Sequence, residues 1–455
     1  MNENKANSFF YIFIISHLFI WTLIPFFSNI NLPLDTIEAL AWGSNLDWGF
    51  EKHPPLSALA VEIIFSFFGN NDWAYYLLSQ ICVIIAFIYV WKFSKLILKN
   101  NTYSLFSILL LECLYFYNFT TPEFNVNVCQ LPFWALTVFY TYKALFNQKK
   151  SDFALMGIFM GLGFLAKYLF IYLILAIKII FILKIIKEKK FYFKYFIPGL
   201  IFIALTLPHL VWLFENNFVT INYAFQRTGI QESTFITNLK NPFIFILKQI
   251  GIIVPLIFLF YLLIDKKKFN FSKLKTNHFL LSINLIPIIL ILLTSVLTGA
   301  KIRTMWLTPF YLFIGVLIVY LFQLVLLKKN YNKFFIMFCF FFFLSPSIYA
   351  YVSISNDFKR TDYEGREIAN LVQRKWDQNF KNKISIVVGD EWYAGNLSYH
   401  LESRPKWFNT IENNLEIINS QTGVIYTGNP KILKKSCPGI YGTIRPVGYC
   451  MIGLK

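Results

Sequence analysis

Hydrophobic residues in this chain fall into long runs separated by short polar stretches, from Phe9 to Tyr351. Many of the runs approach the ~20 residues an α-helix needs to cross the hydrocarbon core of a bilayer. The pattern predicts about eleven transmembrane helices, roughly at 9–27, 73–98, 103–119, 129–146, 152–167, 168–186, 193–214, 245–264, 279–298, 305–327 and 333–352. The first run is long and lacks a small-residue cleavage pattern, so it reads as a span and not as a cleaved signal peptide. Residues 56–68 are apolar but short for a span, and predict a juxtamembrane or re-entrant helix.

After about residue 353 the aromatic runs stop and polar residues rise. ISIVVGD (384–390) and GVIYTG (423–428) read as strands, and DYEGREIANLVQRKW (362–376) as an amphipathic helix. The expected organisation is a polytopic α-helical membrane module over 1–352, with outer loops at 28–72, 119–128 and 215–244, followed by a small extracytoplasmic α/β domain over 353–455.

The net charge of +18 could suggest a nucleic-acid partner, but the lysines concentrate in alternate connections. They sit at Lys92, Lys95 and Lys99; at Lys143, Lys149 and Lys150; and at Lys184, Lys187, Lys189, Lys190 and Lys194. Further clusters are Lys266, Lys267, Lys268, Lys273 and Lys275, then Lys328, Lys329 and Lys333. With eleven spans every cluster falls on one side, which the positive-inside rule makes the cytoplasm. The N-terminus is then inside and the C-terminus outside, and the charge no longer argues for nucleic acid. No phosphate-loop or dinucleotide glycine motif occurs, and no Cys/His metal-ligand spacing. Of six cysteines, Cys82, Cys113, Cys129 and Cys339 lie in or beside spans and read as packing residues. Cys437 and Cys450 lie in the outer tail, where an oxidising compartment allows a disulfide without requiring one.

Under this topology several polar groups share the outer face. LDTIEALAW supplies Asp35 and Glu38, and GFEKHPPL supplies Glu51, Lys52 and His53. TTPEFNVNV brings Glu123, Asn125 and Asn127, and GLGFLAKY brings Lys167 and Tyr168. PHLVWLFENN carries His209 and Glu215, with Tyr223, Gln226 and Arg227 after it, and GAKIRTMWLTPF carries Lys301 and Arg303. Ionisable groups at a membrane face are costly and usually functional. Each also has a plainer reading. Asp35 suits a helix N-cap, Glu38 can complement a helix dipole, His53 can pack on Pro54 and Pro55, and Lys301 and Arg303 can snorkel to headgroups. Trp42, Trp48 and Trp73 suit interfacial anchors. Several cations with acids beside them suit an anionic group such as a phosphate or diphosphate.

In these residues the chain resembles the GT-C superfamily of polyprenyl-phosphate-sugar-dependent glycosyltransferases, and within it a family-39-like group that includes protein O-mannosyltransferases and lipid A aminoarabinose transferases. The likeness covers roughly residues 1–330: LDTIEALAW, EKHPPL, TPEFNVNVCQLPFWAL, GLGFLAKY and KIRTMWLTPF occur in order on the expected outer face. Relatives often carry adjacent acids in the first loop, whereas Asp35 and Glu38 are three apart, and many have an Asp where this chain has Asn125 or Asn127.

The resemblance implies an inverting transfer of one sugar from a polyprenyl phosphate (undecaprenyl in a bacterium) to an envelope glycolipid, glycan or protein, with lipid A or lipopolysaccharide preferred. It implies a bacterial inner-membrane location and a periplasmic site, with membrane lipids as surroundings. Asp35 and Glu38 are the expected catalytic residues, Asp35 as base or as orienting group. Lys167 and Arg303, assisted by Lys301 or His53, are expected at the donor phosphate. Lys52, Glu123, Asn125, Asn127, Tyr168 and Arg227 are expected to position substrates. A divalent metal is compatible with the acids but no site is assigned. The alternatives are a polyprenyl-lipid flippase or transporter, and a different GT-C activity of oligosaccharyl-transferase or O-antigen-ligase type.

Overall fold

The computed structural model describes residues 3–230, 234–265, 277–323, 326–410, 422–444 and 446–455. The lysine cluster at 266–275 lies outside them. In chain order the membrane part holds α1 (Glu3–Ser28), α2 (Leu34–Gly43), α3 (Leu56–Phe68), α4 (Asp72–Leu98), α5 (Asn101–Leu109), α6 (Val126–Cys129), α7 (Leu131–Asn147) and α8 (Lys150–Ala166). It continues with α9 (Ile171–Glu188), α10 (Ile197–Glu215), α11 (Val219–Thr228), α12 (Phe235–Tyr261), α13 (His278–Thr298), α14 (Ile314–Phe322) and α15 (Tyr331–Ser355).

Among the described residues seven helices are long and apolar enough to cross a membrane, or eight if Thr304–Tyr311 and α14, bent by 52°, are one span. The other three expected spans fall on shorter pieces: α5 with the 3₁₀ turn Leu110–Cys113, then α7 and α8 of 17 residues each. α3 is the predicted short apolar helix, with 13 residues. The spans turn Ile, Leu and Phe outward, as an apolar solvent requires: Ile12, Phe19, Ile246, Leu293 and Phe340 are all exposed.

One feature of chain direction fixes where polar residues meet. α8 starts at the Lys149–Lys150 cluster and ends at Lys167, while α9 leaves from Lys167 and ends at the Lys187–Lys190 cluster. At 1.5 Å per residue, Lys167 and these clusters lie about 25 Å apart at opposite ends of the bundle. Where α5 gives way to irregular chain, the buried His17 Nδ1 and Glu112 Oε2 are 3.0 Å apart, and Asn118 Nδ2 donates to the Glu112 carbonyl at 2.6 Å. These bonds anchor the unwound chain that leads into the loop Phe119–Asn125.

After Ser355 come α16 (Gly365–Asp377), β1 (Ile384–Val388), α17 (Tyr393–His400), β2 (Lys406–Phe408), β3 (Gly423–Gly428), α18 (Pro430–Ser436), β4 (Ile440–Ile444) and β5 (Val447–Ile452). The sheet order is β2-β1-β3-β5-β4; β1 pairs in parallel with β2 and β3, and β5 runs antiparallel to β3 and β4. The two strands read from sequence are β1 and β3; β2, β4, β5 and α17 go beyond that reading, although the run Tyr449–Ile452 in β5 is as apolar as that in β3. Cys437 and Cys450 are joined in a disulfide. Cys82, Cys113 and Cys129 are buried, whereas Cys339 is exposed on the face of α15.

This unit docks on α2 and α3. Arg404 Nη2 donates to the Leu40 carbonyl at 2.7 Å and to Glu62 Oε2 at 2.8 Å, with its guanidinium 4.2 Å above the Phe65 ring. Tyr399 O–H donates to Asp72 Oδ1 at 2.7 Å, and Asn31 Nδ2 to Asn396 Oδ1 at 2.7 Å. Charge-assisted hydrogen bonds contribute about 1.5–3 kcal/mol each. Arg404→Ala is therefore expected to lower the apparent melting temperature in detergent by several degrees, with a parallel loss of activity because α2 loses its clamp. Differential scanning fluorimetry checks this; an unshifted transition would exclude Arg404 as the tie.

Candidate active site

A cavity of about 1130 Å³ opens between the first loop, the Phe119–Asn127 segment, the α8–α9 turn, α11, the Arg303–Trp306 segment and Lys359–Thr361. Asp35, Glu38, Lys52, His53, Glu123, Asn127, Lys167, Tyr168, Arg227 and Arg303 line it. Residues nearly 270 positions apart in sequence thus share one chamber.

Asp35 sits in the first turn of α2, whose N-cap is Pro33, so it does not cap the helix with its own side chain. Glu123 does that work: its Oε1 accepts the Asp35 backbone N–H at 3.1 Å. The Asp35 carboxylate is left facing Lys167, Lys52, Arg360 and Arg303. Burial raises its carboxyl above the ordinary carboxylate range, while those cations pull the other way. Burial and the Asp35 charge push Glu123 up to about 8, so at neutral pH Glu123 holds the proton of the pair.

Lys52 bridges Glu38 Oε1 at 2.9 Å and Glu391 Oε1 at 3.0 Å. Burial would lower its ammonium, but the two carboxylates outweigh that and hold it above its usual value. Glu38 is raised by burial, against Lys52. Glu38 and Glu391 are therefore spanned by an ammonium. Among the described residues there is no group of three or more His, Cys, Asp and Glu side chains suited to a metal.

Lys167 is positioned by a helix break. Gly163 has no Cβ, and one there would overlap the Phe170 ring; its absence lets the chain fold back on α8. Lys167 takes an extended conformation between α8 and the 3₁₀ turn Tyr168–Phe170. It is 6% exposed, too deep for snorkelling to headgroups. Its Nζ donates to Asn127 Oδ1 and lies 5.3 Å from the Trp306 ring centre. Asn127 is presented by α6, whose N-cap Asn125 accepts from the Asn127 and Val128 N–H groups at 2.9 and 3.2 Å.

Three expected site residues are placed differently. Asn125 is absent from the cavity wall and acts as the cap of α6. Lys301 is exposed and off the wall, with its backbone N–H on the Thr228 carbonyl at 2.9 Å. His53 lines the cavity against Trp42, but burial, Lys167 and Lys52 push its imidazole down to about 3, so it is neutral and cannot serve as a cation for a phosphate.

Four contributors were missed from sequence: Lys359 and Arg360, just after the last span, Glu391 from the turn after β1, and Trp306. A charged Lys-Arg pair opening an outer domain is a weak signal, since such residues are usually solvated. Here the Thr361 carbonyl accepts from the Ile30 and Asn31 N–H groups at 3.0 and 2.9 Å, docking this segment on the first loop. Lys359 is occupied by Asp362 at 3.3 Å; Arg360 is exposed and lines the cavity.

The family model of dolichyl-phosphate-mannose-protein mannosyltransferases matches residues 52–212. No curated protein matches the chain by sequence. A crystal structure of ArnT from Cupriavidus metallidurans bound to undecaprenyl phosphate is similar over 98% of both chains, with TM-score 0.67 and 11% identity. Its apo form gives TM-score 0.64 and 10% identity over the same shares. The fold is thus that of ArnT through membrane part and sheet alike, while the sequence match covers the stretch from Lys52 to Trp212 that builds half the cavity wall. On these grounds the chain is a multi-pass membrane glycosyltransferase with the fold of ArnT, matching the mannosyltransferase family model over residues 52–212.

Proposed function

We propose that this enzyme transfers a single sugar, with inversion, from a polyprenyl phosphate, undecaprenyl in a bacterium, to a hydroxyl or phosphate of an envelope glycolipid, lipid A or lipopolysaccharide first. The observation that carries the reading is the placement of the Asp35 carboxylate, without a hydrogen-bonded or ion-paired partner among the described residues, in one chamber with Lys167 and Arg303. A sugar ester of a lipid phosphate bears one negative charge, and the phosphate released gains most of a second. A site with cations in excess of acids stabilises the departing group more than the ester, which is what lowers a barrier.

Charge on the wall supports this. Six cations line the chamber (Lys52, Lys167, Arg227, Arg303, Lys359 and Arg360) against Asp35, Glu38 and Glu123. Lys52 is spent on Glu38 and Glu391, Lys359 on Asp362, and Glu123 is protonated. What remains is Lys167, Arg227, Arg303 and Arg360 around one carboxylate. Lys167 and Arg303 would receive the phosphate, and Asp35 would orient or deprotonate the acceptor. Apolar Leu169, Ile171 and Met305 on the same wall suit the first isoprene units. The chamber opens at the end of the bundle opposite the Lys149–Lys150 and Lys187–Lys190 clusters, which supports a periplasmic site and a cytoplasmic N-terminus.

The test is to incubate purified enzyme with radiolabelled glycosyl undecaprenyl phosphate and envelope lipid extract. A labelled glycolipid that depends on added extract is expected. Movement of the labelled lipid between leaflets without product would favour a flippase instead.

A further inference from the structure

Arg360 lies on the chamber wall, and the chemistry assigned above gives it no role. Its backbone is clamped on both sides. The Lys359 N–H donates to Asp362 Oδ2 at 2.8 Å, and the Lys359 ammonium meets Asp362 Oδ1 at 3.3 Å and the Ser353 carbonyl. The Thr361 carbonyl takes the Ile30 and Asn31 N–H groups. The turn Arg360–Asp362 is thus fixed between α15 and the sheet unit, and seated on the first loop. The Arg360 guanidinium is exposed and has no hydrogen bond or ion pair among the described residues. A solvated surface arginine would be equally exposed. Arg360 differs in its rigid backbone and in the reach of its charge, which acts on Asp35 and Glu123 within the chamber. Glu123 holds a proton at neutral pH, so Asp35 is the carboxylate this cation faces.

The donor cations belong to another wall. The charges acting on Lys167 are those of Asp35 and Arg303, whereas Arg360 acts on Asp35 and Glu123. Asp35 is therefore common to two cationic walls. One comes from the α8–α9 turn and the Arg303–Trp306 segment. The other comes from Lys359–Thr361, with Tyr349 of α15 and the loop from Phe119 to Glu123. Displacement with inversion needs the attacking oxygen on the face of the sugar opposite the departing group. With the phosphate on Lys167 and Arg303, that oxygen falls on the Arg360 side of Asp35. The bond to the phosphate oxygen breaks with its electron pair, the acceptor oxygen bonds to the anomeric carbon, and its proton passes to Asp35.

The two groups on that side call for different partners. A carboxylate only accepts hydrogen bonds, and a guanidinium only donates them. An anionic oxygen set against Asp35 is repelled, whereas a hydroxyl donates to it. We infer that Arg360 is the acceptor-side specificity residue, binding a phosphate or carboxylate that the acceptor carries beside, and separate from, the hydroxyl facing Asp35. The acceptor class is then an acidic glycolipid or glycan with a free hydroxyl next to its anionic group, and the sugar goes onto the hydroxyl. This rests on the donor reading above, because it needs the lipid phosphate on Lys167 and Arg303.

The experiment is equilibrium binding to the purified full chain in detergent, with undecaprenyl phosphate at saturation to occupy the donor cations. The probes are glucosyl diacylglycerol, the same lipid phosphorylated on its sugar, glucuronosyl diacylglycerol and phosphatidic acid. Wild type is expected to bind one of the two acidic glycolipids about tenfold more tightly than either the neutral glycolipid or phosphatidic acid, the magnitude of one charge-assisted hydrogen bond. Which of the two it prefers separates a phosphate from a carboxylate. Arg360→Gln should bring both down to the level of the neutral lipid, and Arg360→Lys should restore part of the difference. Undecaprenyl phosphate should bind Arg360→Gln as it binds wild type, which shows that the variant is folded with its donor site intact. A preference that survives Arg360→Gln, an equal loss for the neutral glycolipid, phosphatidic acid binding as tightly as the acidic glycolipids, or no preference in wild type would overturn the subsite. Failure of wild type to bind undecaprenyl phosphate would instead overturn the donor reading, and the subsite with it.

Discussion

Asp35→Asn is expected to lower sugar transfer about 10³-fold while leaving affinity for undecaprenyl phosphate equal or slightly improved. The substitution is isosteric and keeps the backbone N–H that donates to Glu123, so α2 and its cap are retained. It removes the one group placed to take a proton, and general-base catalysis typically contributes 10²–10⁴-fold. It also removes a negative charge facing Lys167 and Arg303, so an anionic ligand should bind no worse. The pH profile carries the same information. Asp35 acts as the carboxylate, so the rate falls as pH drops through its raised ionisation, above the usual carboxylate range. Glu123 ionises near 8, placing a second negative charge beside Asp35 and opposing the donor, so the rate should fall again on the alkaline side. Glu123→Gln should reduce that alkaline fall without abolishing it, because burial lowers Lys167 to about 7 and the loss of its charge opposes the donor over the same range. Steady-state kinetics at saturating donor checks the set; near-normal transfer by Asp35→Asn would take Asp35 out of catalysis.

Much of this chamber was legible because bilayers make charge conspicuous. Asp35, Lys167 and Arg303 stand beside long apolar runs, where an ionisable residue is expensive, and the lysine clusters assign each to one side. The spans were similarly plain; α5 and α8 are cut short by the connections at Leu110–Cys113 and at Lys167, and α7 begins only after the separate turn of α6. Other features depend on geometry that no local pattern carries. Asn125 and Asn127 look alike in NVNV, yet one caps α6 and the other meets Lys167, because that short helix turns successive side chains apart. Lys301 and Arg303 are equally close in sequence, and only Arg303 reaches the cavity. His53 carries a titratable ring, but two ammonium groups and burial keep it neutral. Arg360 and Glu391 were out of reach because their relevance arises from docking of the sheet unit on the first loop, through Thr361, Asn396 and Arg404.

Lys167→Met is expected to weaken both undecaprenyl phosphate binding and donor use by about 10²–10³-fold. Methionine keeps the unbranched apolar stem over Trp306 and removes only the ammonium. At an effective dielectric near 20, a charge pair about 4 Å apart is worth roughly 4 kcal/mol, or nearly three factors of ten. The loss should exceed that of Arg303→Met, because Lys167 is buried and already oriented by Asn127, whereas Arg303 is half-buried and shares its field with solvent. The two losses should be less than additive in the double variant, since both cations act on one phosphate. Because the developing charge is larger on the released phosphate than on the ester, kcat should fall along with donor affinity. A change in KM alone would mean that Lys167 holds the ester and its product equally. Unchanged donor kinetics would show that the cation–π pair with Trp306 is structural and that the phosphate lies elsewhere in the chamber.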